Sequence, residues 1–163
     1  MSSNKVKIPL LETAKWLSFV LVLVFLISLV SQGKRSNTEF SVMTEAVISA
    51  AVLDDMVEAD NQMVKRLYGI DSANYEGLML YTPTTNMGAE EILLVKLKDT
   101  AQQAEVTAAV EKRIATQMDS FEGYGITQYE MLESHVLEVQ GNYMLLVVAA
   151  DPAPVRQAFL DAL

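Results

Sequence analysis

Apolar residues are distributed in three ways along this chain. From Trp16 to Val30 they run almost without interruption; from Phe40 to Tyr68 they recur at helical spacing; after Tyr75 they fall into short runs broken by turn residues. Lys15 and Lys34 bracket eighteen uncharged residues. As a helix this stretch would measure roughly 27 Å, close to the hydrocarbon thickness of a bilayer. It therefore predicts a transmembrane helix or uncleaved signal anchor over 15–33, after a short cytoplasmic tail over 1–14. Ser31 and Gly33 also fit the small-residue positions of a signal-peptidase site ahead of Lys34, the competing reading. Lys5, Lys7 and Lys15, offset by Glu12, face Lys34 and Arg35 across the span. That balance leans toward a cytoplasmic N-terminus and a single-pass protein with its C-terminal domain outside the bacterial cytoplasmic membrane.

Residues 34–38 read as a polar linker and 39–163 as one extracytoplasmic α+β domain. Ser36 and Glu39 have capping-box spacing, predicting a helix with Phe40, Met43 and Val47 on one face. A second helix is expected over Met56–Tyr68, stopped by Gly69. Strands are expected over Tyr75–Thr82 and Glu91–Lys98, with Leu93, Val95 and Leu97 facing opposite to Lys96 and Lys98. Thr100 and Gln103 then open a helix carrying Val106, Val110, Ile114, Met118 and Phe121. Two further strands, Tyr129–Gln140 and Tyr143–Ala150, are joined by the hairpin pair Gly141-Asn142, and the second is the most apolar of all. Asp151 and Pro152 open a last helix with Val155 and Phe159 inward. The expected fold is thus an N-terminal transmembrane helix followed by a four-stranded, mainly antiparallel sheet with helices on one face, the other face open to a partner.

Charge narrows the partners. Residues 1–35 carry +4 and the remainder −13, together the −9 of the chain. A domain this acidic repels phosphate backbones, which excludes nucleic acid; the expected partners are the lipid bilayer through 15–33 and an envelope or integral-membrane protein. With no cysteine there is no disulfide and no thiol chemistry.

Several residue groups resemble a known family. Arg66-Leu67-Tyr68-Gly69-Ile70-Asp71, Tyr81, Ala89-Glu90-Glu91-Ile92, Gly141 through Val147 and the closing amphipathic helix are similar to the bacterial domain-of-unknown-function family 4358, over roughly 52–163. The resemblance implies an exported, membrane-attached protein with an accessory envelope role, and brings no activity with it.

Candidate chemistry is sparse. Ser134 and His135 are neighbours in an expected strand, so their side chains diverge and cannot act as nucleophile and base. Asp54 and Glu58, one turn apart on the expected helix, are candidates for sharing a divalent cation, against the plainer reading of a solvated acidic face. Glu90 and Glu91 read as solvated at a strand edge. With Glu133 they supply the carboxylates of the alternative function, an envelope-polymer hydrolase or transferase. The six tyrosines read as amphipathic packing, with recognition as the alternative if they gather on the open face or near the 82–89 loop. Tyr81, Thr82, Asn86 and Met87 are the candidate partner-binding residues. No cofactor is expected, and the reading is a non-catalytic interaction or accessory module of the envelope.

Overall fold

The computed structural model describes residues 35–163. Five antiparallel strands form one sheet: β1 (Met56–Glu58), β2 (Gly77–Pro83), β3 (Glu91–Lys96), β4 (Val136–Gln140) and β5 (Tyr143–Val148), in the order β1-β2-β3-β5-β4. The helices are α1 (Phe40–Ala50), α2 (Asn61–Tyr68), α3 (Gln103–Phe121), α4 (Ile126–Glu133) and α5 (Ala153–Asp161).

The central strands dictate the layering. Every residue of β3 and β5 is buried, so successive side chains need cover on opposite faces. Leu93, Val95, Met144 and Leu146 pack with Val64, Val106, Val110, Ile114 and Leu132 on one face. Ile92, Leu94, Tyr143, Leu145 and Val147 pack with Met43, Val47, Val155 and Phe159 on the other. Helices α2, α3 and α4 therefore cover one face and α1 and α5 the other, a three-layer arrangement in place of the one-sided sheet that was expected. Close approach supports it: a Cβ on Gly77 of β2 would fall 2.4 Å from the Phe40 ring of α1.

The predicted turn and stop residues act as the sequence indicates. Gly69 ends α2 at φ 73°, and Gly141, at φ 59°, forms with Asn142 the two-residue turn between β4 and β5. The capping box is shifted by one residue: Asp99 and Gln102, not Thr100 and Gln103, close it, around the 3-10 turn Thr100–Gln102 that leads into α3. At the start of the described chain, the Ser36 N–H donates to Asn142 Oδ1 at 2.8 Å and the Tyr143 hydroxyl to the Thr38 carbonyl at 2.8 Å. Burial, and then the charge of Glu76, raises the Tyr143 phenol to about 12.

Three expectations are corrected. The fifth strand, β1, lies where a helix was expected, because Met56–Glu58 pairs with Tyr81–Pro83 while Asp60 starts α2 by accepting the Met63 N–H at 2.8 Å. Residues 126–133 form α4, which takes the first five residues of the strand expected over 129–140, so β4 begins only at Val136. The expected span over 15–33 lies outside the described residues, and among those described no helix is long and apolar enough to cross a membrane. The longest, α3, is amphipathic and carries Glu105, Glu111, Lys112 and Arg113. The four-stranded sheet is corrected to a five-stranded one in a small α+β domain, and nothing among the described residues supports the transmembrane part of the expected fold class, the lipid-bilayer partner or the single-pass membrane localisation.

Phe159 is fully buried and meets the Tyr143 ring edge-on at 6.4 Å. Phe159→Ala is expected to destabilise the protein by about 3–5 kcal/mol. Urea denaturation measures this, and a loss below about 1 kcal/mol would contradict the role given to the α1/α5 layer.

Candidate functional site

The acidic end of β3 divides between the two faces. Tyr81 pairs with Ile92, so their neighbours Thr82 and Glu91 turn together toward α2 and α3. Glu91 is 1% exposed, not solvated as expected. Its three partners come from two helices. Arg113 of α3 donates through Nε at 3.2 Å to both carboxylate oxygens and through Nη2 at 2.7 Å to Oε2. Gln117, one turn later, donates to Oε2 at 3.0 Å, and the Tyr68 hydroxyl at the end of α2 donates to Oε1. Residues 113 and 117 share a helix face, which is why one helix supplies two donors to one carboxylate.

This clamp borders a groove of about 350 Å³. Met63, Arg66 and Leu67 of α2 form one wall, and Arg113, Gln117, Ser120 and Phe121 of α3 another. Val57, Thr82 and the loop of Thr84, Thr85 and Asn86 close the third, with Tyr124 at the mouth. Tyr124 is 65% exposed and Val57 49%. No carboxylate lines this groove, although the chain carries 21 Asp and Glu. The guanidinium of Arg113 commits Nε and Nη2 to Glu91, and its Nη1 has no hydrogen-bond partner among the described residues. On the same helix as the α2 wall, Lys65 Nζ lies 2.6 Å from Asp71. That hydrogen bond, helped by the Ala73 N–H and by Asn61, holds the half-buried Asp71 carboxyl down at about 2.

The candidate residues named from sequence separate. Thr82 and Asn86 line the groove together; Tyr81 packs on the opposite face with the α1/α5 core, and Met87 is exposed on the loop. The proposed cation pair also separates, with Asp54 in a turn and Glu58 on β1 rather than one helical turn apart. Among the described residues no group of three His, Cys, Asp or Glu is placed to hold a metal ion. Glu90 lines a second pocket on the far side from Glu91, and the exposed Glu133 ends α4, so these carboxylates do not converge. Ser134 Oγ donates to the Glu130 and Met131 carbonyls, while His135 Nδ1 lies 2.6 Å from the Leu132 carbonyl oxygen. Tyr68, Tyr75 and Tyr143 are buried, as packing requires, and Tyr124 is the tyrosine left open at the groove.

Sequence reasoning missed Arg113, Gln117 and Tyr68. The one available signal was a glutamate opening a run of four apolar residues, Ile92 to Val95, a charge that a central strand can hold only if paired.

A family model described as a domain of unknown function, DUF4358, matches residues 49–149. The chain belongs to that family. No curated protein and no solved structure matches it. The DUF4358 segment contains the whole groove and the whole Glu91 clamp, whereas α5 lies beyond it.

Removing one partner of a buried ion pair strands the other charge. Arg113→Met is expected to cost about 3–5 kcal/mol, and the double variant Glu91→Leu/Arg113→Met to recover more than half of that loss; equal losses in urea denaturation would show that the pair is not coupled. Burial, the nearby Glu91 charge and the hydrogen bond to it push the Tyr68 phenol well above 10. A proton held more tightly in the folded state stabilises it below the unfolded pKa near 10, and this contribution is lost as pH rises beyond that value. The fall in urea midpoint between about pH 9 and about pH 11 should therefore be shallower in Tyr68→Phe than in the parent chain, and an unchanged fall would refute the assignment.

Proposed function

We propose that this domain is a non-catalytic binding module whose recognition surface is the groove between α2 and the C-terminal half of α3. The observation that carries the reading is the commitment of Glu91. Its oxygens accept from Arg113, Gln117 and Tyr68, so this carboxylate orients a guanidinium instead of standing ready to take a proton from a substrate. A bidentate pairing of this kind fixes the plane of Arg113 beside the groove.

The rest of the groove supports recognition. Arg66, Asn86 and Thr84 supply hydrogen-bond donors, while Val57, Leu67, Phe121 and Tyr124 supply apolar and aromatic area. Exposed aromatic and arginine side chains around a concave centre are the usual anchors of protein recognition. In an acidic chain a groove without carboxylates favours a polypeptide segment that presents carbonyl or carboxylate oxygens. The sheet itself offers no such surface, since both faces are occupied.

A photo-crosslinking side chain placed at Asn86 is expected to give a discrete adduct with a polypeptide partner in cells producing the full chain, and one placed at Glu111, outward on α3, is not. Tyr124→Ala should abolish the Asn86 adduct while changing stability by no more than about 0.5 kcal/mol. Equal crosslinking from both positions, or an Asn86 adduct indifferent to Tyr124, would place recognition elsewhere.

A further inference from the structure

On the opposite face, a second pocket lies where the C-terminus of α1, the N-terminus of α5 and the ends of β3 and β5 meet. It holds about 430 Å³, within the range of small-molecule sites. Its wall is apolar, built from Ala51, Met56, Ile92, Val148 and Val155. Around it stand four carboxylates, Asp54, Asp55, Glu90 and Asp151, and no Lys, Arg or His lines it. Glu90 and Glu91 thus serve opposite concavities, the first beside this pocket and the second under the groove.

The chemistry of an occupant follows from these two properties together. Four negative charges without a counter-cation attract positive charge, and the apolar wall rewards burial of hydrocarbon. A bare divalent ion does not match, because among the described residues no three carboxylates are placed to coordinate one. An anionic ligand does not match the rim, and a purely polar one does not match the wall. The geometry points to a small organic amine with an apolar body, its hydrocarbon against Ala51, Met56, Ile92 and Val155 and its ammonium among Asp54, Asp55, Glu90 and Asp151. This site is independent of the groove and of any partner bound there.

The test uses n-hexylammonium, hexan-1-ol, hexanoate and magnesium as separate probes, titrated into the isotopically labelled full chain and followed by amide chemical shifts. Hexylammonium is expected to produce saturable shifts confined to residues 50–56, 90–92 and 148–155. Hexan-1-ol should bind at least about tenfold more weakly and hexanoate not at all. The double variant Asp54→Asn/Asp151→Asn changes two exposed side chains, and an asparagine at 151 still accepts the Ala153 N–H that Asp151 accepts at 3.1 Å. It should retain the parent's thermal midpoint and weaken hexylammonium by about tenfold. Equal affinity for hexylammonium and hexan-1-ol, shifts scattered over the acidic surface, saturable shifts with magnesium alone, or an unchanged constant in the folded double variant would each overturn the assignment.

Discussion

The domain formed by residues 35–163 depends on the burial of β3 and β5 from both sides. Twelve strand positions, six consecutive ones in each strand, are shielded from water, and alternation sends half of them to each face. Neither helical layer alone could cover them. The α2/α3/α4 layer takes Leu93, Val95, Met144 and Leu146, and the α1/α5 layer takes Ile92, Leu94, Leu145 and Val147. Once both faces are closed, recognition has to occur where helices end and strands shorten. Both concavities lie there, one beside the three-residue β1 and the other between the facing ends of α1 and α5.

Glu91 shows how that constraint shapes a site. A carboxylate on a fully buried strand must be neutralised, and a buried ion pair is seldom more stable than apolar residues filling the same space. What the pair supplies is position. Arg113 is held by two of its nitrogens, Gln117 reaches the same carboxylate from one turn further along, and Tyr68 ties the end of α2 to the same point. The clamp joins α2, α3 and β3 at the border of the groove, so the groove's two helical walls are fixed relative to each other.

Elements with a local cause were legible in the sequence. Gly69 as a helix stop, Gly141-Asn142 as a two-residue turn, and the stripe of Val106, Val110 and Ile114 all act as their spacing indicates. Features with a distant cause were not. Met56–Glu58 is a strand because Tyr81–Pro83 lies beside it, and read alone Met56, Met63, Val64 and Leu67 fit a helix equally well. Tyr129–Glu133 reads as the start of the strand Tyr129–Gln140, yet it belongs to a helix that packs through Met131 and Leu132. The sheet's second cover was hidden for a similar reason, since an entirely apolar strand such as β5 does not reveal whether one or both faces are enclosed. Of the site, Thr82 and Asn86 were found through the loop's position, whereas the Glu91 clamp spans 22 to 26 residues of sequence and left only an unexplained charge.

Native-state hydrogen exchange tests the two-sided closure most directly, because amides in a strand covered on both faces open only with the whole domain. The account predicts that amides of Leu93 to Val95 and Leu145 to Val147 are the slowest to exchange and do so at the free energy of global unfolding, while amides of the 84–88 loop exchange far faster. Protection in β3 and β5 no greater than in that loop would mean that one face of the sheet stands open, and the account would fail.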